Sequence, residues 1–388
     1  MLTVLMCLGL LVLSASLPSD LREGSNDLSL YREAGESILQ GDVPYRDFFI
    51  EYPPGSLPAF IPPALLSASR DGYINLFALE MALTLGVTLL VAALTARRLR
   101  GSNAWILPAL TFVLAALLLY PVAVTRYDAV VALTLGLAVL FATLGGRFLV
   151  LAYASLGLGA AAKIVPAIAT LPLALMRKGA ALGYAAFLAV LALFFAPFLG
   201  GGVLLESVAY QADRGLQIES LPASVLIALR SAHSVVFEYG AFEVRGGGLG
   251  LATSLSPILT LVLLAITGLV MYEEGRRRGR LGAEAFPRHA AALILALMVG
   301  SKVLSPQYMI WLLPLVPLGA GGAAGAIVCA VFLAACFATT RVFPTYYGDL
   351  LAFRYPGPEL LLVRNLLLVV LWAMMLALSA TARRKRSS

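Results

Sequence analysis

Long apolar runs, many of them close to twenty residues, recur from one end of this chain to the other. An α-helix needs about 20 apolar residues to cross the hydrocarbon core of a bilayer, and only helices or closed barrels can satisfy their backbone groups there. Hydrophobic residues make up 60% of the sequence and charged residues only 13%, about half the charged share of a soluble domain. We therefore expect an all-α polytopic membrane protein of about twelve spans, with residues 1–388 forming a single integral membrane domain.

The polar stretches between the apolar runs place the expected loops. The expected spans are residues 1–17, 74–95, 104–120, 129–144, 148–161, 164–176, 180–199, 249–272, 290–303, two within 309–339, and 360–380. Residues 55–69 are apolar but contain three prolines, so we expect an interfacial segment rather than a span. Two longer stretches, about residues 18–73 and 200–248, are expected to be large loops on the same face.

The net charge of +7 is concentrated in short loops between the apolar runs. The clustered cations are Arg97, Arg98 and Arg100; Arg177 and Lys178; Arg276, Arg277, Arg278 and Arg280; and Arg383, Arg384, Lys385 and Arg386. The positive-inside rule places all of these loops, and with them both termini, in the cytoplasm. The cations therefore indicate topology rather than a nucleic-acid partner, and the two large loops with most of the acids face outward.

Cysteine and histidine are too scattered to predict a metal site. Cys7, Cys329 and Cys336 all fall inside apolar runs, where buried inert thiols are the expected state. His233 and His289 lie far apart in different loops. We expect neither a metal ion nor another cofactor.

The first large loop is unusually rich in carboxylates and tyrosines for a chain this apolar. Its segment 26–54, NDLSLYREAGESILQGDVPYRDFFIEYPP, contains Asp27, Glu33, Glu36, Asp42, Asp47 and Glu51 together with Tyr31, Tyr45 and Tyr52. Carboxylates hydrogen-bond sugar hydroxyls, and one of them can take the proton from an attacking hydroxyl. The alternative is an ordinary solvated surface loop.

Three further segments bring cations to the same membrane edge. They are Arg126-Tyr127-Asp128, Lys163-Ile164-Val165-Pro166 and the stretch from Ser301 to Tyr308, and Arg214 adds a cation in the second large loop. Lys163 has apolar sequence on both sides and is a functional candidate, because a buried lysine needs a partner or a cavity. The alternative for Arg126 and Asp128 is that they simply pair with each other. Trp311 and Tyr355 are expected to belong to interfacial aromatic belts.

Carboxylates on one side of an outer-face hollow and cations on the other suit sugar transfer from a lipid phosphate. Arginine and lysine hold phosphate and stabilise the charge that remains on it when the glycosidic bond breaks. The alternative is a lipid or solute transporter that binds a phosphate at its outer face. A transporter predicts ionisable residues near the bilayer midplane and matched broken helices in two halves.

Several of these segments also resemble a known family. The first-loop sequence NDLSLYREAGESILQGDVPYRDFFIEYPPGSLPAF, followed in order by RYDAVVAL, KIVPAIATLPLAL, DRGLQIESLPAS and SKVLSPQYMIWLLPL, is similar to glycosyltransferase family 87 of the GT-C superfamily. That family includes bacterial polyprenyl-phosphomannose-dependent α-mannosyltransferases. The resemblance implies a GT-C-like bundle in a bacterial plasma membrane. It further implies an inverting transfer of a sugar, mannose, from a polyprenyl-phosphate donor to a glycan or glycolipid hydroxyl on the outer face.

The resemblance also implies roles for particular residues. Asp27, in the context Asp27-Leu28-Ser29-Leu30-Tyr31, matches the position of the catalytic base, and Asn26 in place of a second acid argues against a DxD metal site. The expected substrate-binding residues are Tyr31, Asp47, Glu51, Tyr52, Arg126, Asp128, Lys163, Arg214, Gln217, Glu219, Lys302, Gln307 and Tyr308. Asp47 and Glu51 are also the alternatives to Asp27 as the base.

Overall fold

The computed structural model describes residues 1–15, 26–101, 105–176, 180–199 and 213–381. Its α-helices are α1 (Leu2–Ala15), α2 (Asn26–Gln40), α3 (Ile61–Leu66), α4 (Arg70–Arg100), α5 (Ile106–Leu118), α6 (Tyr120–Ala123), α7 (Asp128–Leu144), α8 (Phe148–Ala162), α9 (Thr170–Ala174), α10 (Ala181–Phe195), α11 (Leu221–Ala228), α12 (Leu249–Arg278), α13 (Phe286–Gly300), α14 (Val316–Gly319), α15 (Gly322–Thr340), α16 (Tyr347–Leu351) and α17 (Gly357–Thr381). Strands β1 (Ala232–Glu238) and β2 (Ala241–Gly246) form an antiparallel hairpin. Residues 18–25 and 200–212 of the two predicted loops, and the basic clusters 177–178 and 383–386, lie outside the described residues.

The apolar runs fold as helices, which confirms the predicted all-α polytopic membrane fold. Within the described residues, five helical segments are long and apolar enough to cross a membrane: Arg70–Arg100, Ala181–Phe198, Leu249–Arg278, Ala324–Thr345 and Gly357–Ser379. Six shorter apolar segments accompany them: Leu2–Ala15, Ile106–Leu118, Asp128–Leu144, Phe148–Ala162, Val165–Ala174 and Phe286–Gly300. Several of these segments are shorter than the expected spans, for example Ile106–Leu118 against residues 104–120 and Val165–Ala174 against residues 164–176.

The helices pack in two groups. In the first group α1 and α7 pack against α4, and α8 lies between α7 and α10. In the second group α12 and α17 pack against α13, and α15 packs against α17. Two short 3-10 helices join the groups, because Val165–Ala169 packs on α13 and Pro306–Leu312 packs on α7. These junctions bring chain segments far apart in sequence to one end of the bundle.

The stretch expected to hold two spans, residues 309–339, contains one long helix instead. Its first part is the 3-10 helix Pro306–Leu312 followed by the single-turn helix α14, and both are almost entirely buried. Prolines at 306, 314 and 317 prevent a continuous helix here. Irregular backbone at membrane depth is tolerated where protein surrounds it, so this stretch is an internal segment rather than a span.

The described part of the second large loop, residues 213–248, is folded. Residues 216–218 run beside the hairpin, since the Ile218 amide donates to the carbonyl of Phe242 at 2.9 Å. Leu216, Ile218, Val244 and Leu361 belong to a small separate apolar core under this loop. The loop is therefore packed against the start of α17.

Candidate active site

Asp27 lies in the first turn of α2, where the positive end of the helix dipole favours a carboxylate. One face of this helix carries Leu28, Tyr31 and Ala34, all buried against the bundle. Their spacing of three residues is that of a helix face. Packing of that face holds Asp27 against the protein, and 24% of its side chain stays exposed.

Two side chains from distant segments hold the Asp27 carboxylate. Tyr52 donates its hydroxyl hydrogen bond to Oδ1 at 2.9 Å, and the Arg126 Nε lies 2.7 Å from Oδ2. Burial first, and then the neighbouring Asp27 charge, hold the pKa of the Tyr52 phenol well above its usual range. Tyr52 therefore keeps its proton and remains a donor to Asp27.

Aromatic rings that contact one another surround Tyr52 and hold this arrangement in place. Tyr31 stacks on Phe60 with ring centroids 4.4 Å apart, and Tyr52 and Tyr127 meet edge to face at 5.6 Å. Tyr31 is fully buried, so it supports Tyr52 and Tyr127 rather than offering an open surface. Such edge and offset contacts between rings fix the ring positions.

Lys163 and Asp128 form a second ion pair beside the first. Asp128 begins α7 and Lys163 ends the neighbouring α8, so each charge lies at the helix end that favours it. The Lys163 Nζ is 2.9 Å from the Asp128 Oδ1, which also accepts a hydrogen bond of 2.6 Å from the Trp311 indole. The same ammonium lies 5.2 Å from the ring centroids of Tyr127, Tyr308 and Trp311, within cation–π range.

A close backbone contact aligns the first loop with Lys163. A Cβ at Gly55 would overlap the backbone of Ala161 and Ala162, at the end of α8. Only glycine permits this approach, which sets the turn Pro54–Ala59 directly against the helix that carries Lys163.

Gln217 and Glu219 bring the second large loop to this end of the bundle. Gln217 is buried and accepts a hydrogen bond from the Leu304 amide at 3.0 Å, so it joins the loop to the segment after α13. Glu219 is 2% exposed and accepts from the Tyr347 hydroxyl at 3.3 Å. Burial raises the pKa of Glu219 to about 7, against the opposing effects of Arg364, Tyr347 and Arg126.

The remaining predicted residues lie around these groups with different contacts. Asp47 accepts a hydrogen bond from the Val43 amide at 2.8 Å and pairs with Arg46, so its contacts stabilise its own turn. The Glu51 charge contributes to the raised pKa of Tyr52, after burial and the charges of Asp27 and Tyr31. Arg214, Lys302 and Gln307 are partly exposed. Tyr308 stacks on Trp311 at 4.2 Å.

The structure decides against one alternative and one expectation from the sequence. Arg126 and Asp128 do not pair with each other, because Arg126 pairs with Asp27 and Asp128 with Lys163. Trp311 is 1% exposed and bonded to Asp128, so it is not an interfacial belt residue. The buried position of Trp311 follows from the packing of Pro306–Leu312 on α7.

Three residues of this region are missed by the sequence analysis. Arg364 and Asn365 are fully buried in α17 and contact the Glu219 backbone, and Tyr347 contacts its side chain. A lone Arg-Asn pair inside the apolar run LLLVRNLLLVV is a usable signal, of the same kind as Lys163.

Comparisons with known proteins bear on this site. The model of glycosyltransferase family 87 matches residues 49–306, well over half of the chain, and the matched range begins after Asp27. None of the curated proteins matches the sequence.

The fold has a counterpart among solved structures. The crystal structure of ArnT from Cupriavidus metallidurans bound to undecaprenyl phosphate is 14% identical, with a TM-score of 0.52 over 98% of this chain and 77% of that one. The apo state of ArnT matches at 14% identity over 90% of this chain and 71% of the other, with a TM-score of 0.48. The similarity to the ArnT structure with bound undecaprenyl phosphate concerns the fold, and it agrees with the predicted GT-C-like bundle.

Proposed function

The chain belongs to glycosyltransferase family 87, and from that premise we propose that it transfers a sugar, mannose, from a polyprenyl-phosphate donor to an acceptor hydroxyl. The observation that carries this proposal is the convergence of Asp27, Arg126, Asp128 and Lys163, from three separate segments, at one end of the bundle. A partly exposed carboxylate beside partly buried cations is an arrangement that suits transfer from a phosphate.

Arg126 and Lys163 are the proposed phosphate partners of the donor. In this proposal their charges, rather than a metal ion, neutralise the leaving phosphate. Lys302 and Arg214 are further candidates on neighbouring segments. The ArnT structure contains undecaprenyl phosphate, which supports a polyprenyl-phosphate donor for a chain with this fold.

An apolar groove next to Lys163 suits the lipid chain of the donor. It has a volume of about 310 Å³ and is lined by Ala160, Ile164, Leu191, Ala192, Phe195, Ala196 and Leu199. Ile164 directly follows Lys163 and is 71% exposed. The first isoprene units would therefore lie between α8 and α10 while the phosphate lies at the lysine.

In the proposed reaction Asp27 is the general base. It takes the proton of the acceptor hydroxyl, whose oxygen attacks the anomeric carbon from the face opposite the phosphate. The carbon–oxygen bond to the phosphate breaks, its electron pair remains on the phosphate, and the configuration inverts. Tyr52 and Arg126 orient Asp27 during this step.

We propose that this end of the bundle is the outer face. The basic clusters at residues 97–100 and 276–280 lie at the opposite ends of α4 and α12 from the site. The positive-inside rule then places those ends, and both termini, in the cytoplasm.

The test is transfer from a radiolabelled polyprenyl-phosphate mannose by the purified full-length protein in lipid nanodiscs. We expect Asp27→Asn to lower the rate by about 10² to 10⁴, because removing a general base has that effect. Glu33→Gln is the matched control, since Glu33 is exposed on the same helix, and it should keep the wild-type rate.

Two outcomes contradict the proposal. Absence of transfer by the wild-type protein, together with movement of a labelled lipid or phosphate across the membrane of liposomes of the same lipids, would favour the transporter. A wild-type rate in Asp27→Asn would remove Asp27 as the base while leaving the transferase intact.

A further inference from the structure

Tyr45, in the first large loop, has a backbone conformation that tyrosine rarely adopts. Its φ is +63°, in the left-handed region that favours glycine. Four of the non-glycine residues that the structure describes have a positive φ, and Tyr45 alone among them is buried, at 1% exposure. A bulky residue stays in this region only where its surroundings hold it there. The contacts of Tyr45 therefore show what its conformation serves.

Short backbone contacts form the turn that directs Tyr45 inward. The Tyr45 amide donates to the Phe48 carbonyl at 3.1 Å, and the Asp47 amide donates to the Val43 carbonyl at 2.9 Å. The Asp47 carboxylate accepts a hydrogen bond from the Val43 amide at 2.8 Å. These bonds close residues 43–48 into one turn in which Asp47 is exposed and Tyr45 is buried.

The Tyr45 hydroxyl connects this turn to the residue that contacts the proposed base. It donates a hydrogen bond to the backbone carbonyl of Tyr52. Burial raises the pKa of the Tyr45 phenol above its ordinary value, so the hydroxyl keeps its proton and remains a donor. The Tyr52 hydroxyl in turn donates to the Asp27 Oδ1 at 2.9 Å. Two consecutive hydrogen bonds thus lead from Tyr45 to Asp27.

The Tyr45 ring is supported from the other side, just past the end of α10. It meets the ring of Phe198 edge to face, with centroids 5.0 Å apart. Phe198 lies in a short 3-10 helix, and its neighbours Ala196 and Leu199 line the apolar groove that we propose for the lipid chain. An edge-to-face contact between two aromatic rings favours one relative position. The wall of the lipid groove therefore supports the turn that carries Tyr45.

Tyr52 needs support for its backbone as well as for its ring. The edge-to-face contact with Tyr127, at 5.6 Å, fixes the ring alone. Pro53 and Pro54 follow Tyr52, and neither has an amide hydrogen that a regular backbone ladder could use. The hydrogen bond from Tyr45 holds the Tyr52 carbonyl at the point where this proline pair begins.

We propose that Tyr45 is a positioning residue for sugar transfer, which rests on Phe198 at the lipid groove, fixes the Tyr52 carbonyl and so directs the Tyr52 hydroxyl to Asp27. The inference depends on the proposed function. Without the Tyr45 hydroxyl the Tyr52 backbone is released, and the Asp27 carboxylate loses its fixed orientation toward the acceptor hydroxyl. A displacement of about 1 Å near a reacting group can cost about 10²-fold in rate, so a small movement of Tyr52 is sufficient.

The experiment measures transfer by single and double variants in nanodiscs, with kcat expressed per folded molecule. Tyr45→Phe keeps the ring and removes the hydroxyl, and we expect kcat to fall about tenfold. The KM for the donor should stay within about twofold of wild type, since Tyr45 does not contact the donor in this proposal. Tyr52→Phe should lower kcat at least as much, because it removes the direct donor to Asp27. The double variant should be no slower than Tyr52→Phe alone, since Tyr45 acts through the Tyr52 hydroxyl.

Two further variants separate positioning from folding. Tyr153→Phe removes the hydroxyl of a buried tyrosine in α8 whose ring contacts Tyr184 of α10, and kcat should not change. Phe198→Leu keeps an apolar side chain and removes the ring contact with Tyr45, and kcat at saturating donor should fall about threefold. If Tyr45→Phe does not fold, Phe198→Leu with and without Tyr52→Phe provides the same test, and the loss should again disappear in the Tyr52→Phe background.

The results that overturn the inference are distinct from those that overturn the transferase. A wild-type kcat in Tyr45→Phe, or losses that multiply in the double variant, would refute the positioning role while wild-type transfer still supports the proposed function. An equal loss in Tyr153→Phe would refute it too, because the effect would then not be specific to the contact with Tyr52. If the wild-type protein transfers no sugar from the donor, the positioning role is refuted together with the function on which it depends.

Discussion

Buried arginines pair with carboxylates at both ends of the helical bundle, and the two groups differ in how completely those carboxylates are used. At the end away from the site, Arg288 donates through Nη2 to both Glu274 oxygens at 2.8 and 2.7 Å, and through Nε to Ser379 at 3.0 Å. His289 and Arg278 also contact the Glu274 carboxylate, at 3.0 and 3.2 Å. We call these five residues the opposite-end network.

The candidate active site contains the same residue types in a more open arrangement. The Asp27 side chain is 24% exposed, whereas that of Glu274 is 4% exposed. Asp27 has one tyrosine and one arginine as partners, and Glu274 has three cationic or ionisable partners. The comparison teaches that burial and charge alone do not identify a site; a carboxylate that is both oriented and accessible does.

The largest expected effect is on stability, from breaking the opposite-end network. Arg288→Met leaves the Glu274 charge buried with fewer partners, and we expect the free energy of unfolding to fall by about 3–5 kcal/mol. The rate of sugar transfer per folded molecule should not change. Thermal unfolding in detergent and the nanodisc transfer assay measure the two quantities.

Its control replaces both charges. The double variant Arg288→Met with Glu274→Leu leaves no unpaired ion and should recover much of the lost stability. A transfer rate that falls in Arg288→Met even after correction for folded protein would show that the two ends are coupled, and the comparison would fail.

The next effect is the pH dependence of folding stability that Glu219 causes at the candidate-site end of the bundle. Burial raises the pKa of Glu219 to about 7 in the folded protein, from an ordinary value of 4.5. Between pH 4.5 and pH 7 the Glu219 carboxyl is protonated in the folded protein and ionised in the unfolded chain. This carboxyl therefore stabilises the fold at low pH. That contribution, ~3 kcal/mol, is lost as the pH rises through 7.

We therefore expect the stability of the wild-type protein to decline from pH 5 to pH 8 relative to Glu219→Gln. Denaturation midpoints of the two proteins across this range provide the measurement, with Glu33→Gln as a surface control. Parallel pH dependence in wild type and Glu219→Gln would mean that Glu219 titrates in its ordinary range.

The smallest effect concerns the donor. Replacing Lys163 by methionine together with Asp128→Asn removes the ion pair without leaving an isolated charge, and the amide oxygen introduced at position 128 would still be able to accept from the Trp311 indole. We expect the Kd for the polyprenyl-phosphate sugar to rise about tenfold, which corresponds to ~1.4 kcal/mol. Binding of the labelled donor to nanodiscs measures this change.

Arg245→Met is the control for that measurement, because Arg245 is a cation on the hairpin whose partners are Glu238 and Glu243. Equal donor affinity in the Lys163 variant and in wild type would remove Lys163 from the phosphate partners. The cation then serves to fix Asp128 within the bundle, as Arg288 does for Glu274.

The sequence predicts the residues of the candidate site better than it predicts their partners. Arg126 and Lys163 are identifiable because each is a charge in or beside an apolar run, where a charged side chain is costly without a partner. The same argument applies to Arg364, which together with Asn365 interrupts the apolar sequence of span twelve. Asp27 is identifiable because it lies in a loop rich in carboxylates and matches the position of the catalytic base in the family that the sequence resembles. Pairings such as Asp27 with Arg126 join residues 99 positions apart, and sequence spacing carries no information about them.

The sequence by itself determined the environment of this protein, because apolar length and the scarcity of charge require helices in a bilayer. Only the tertiary structure decided which charges meet. That choice depends on which helices are neighbours, and here two proline-containing breaks, at Val165–Ala169 and Pro306–Leu312, set α13 and α7 beside the segments that complete the site. Electrostatic interactions weaken with distance and strengthen with burial. The side chains that surround a carboxylate, rather than its residue type, therefore determine whether it is accessible, as Asp27 is, or fully paired, as Glu274 is in the opposite-end network.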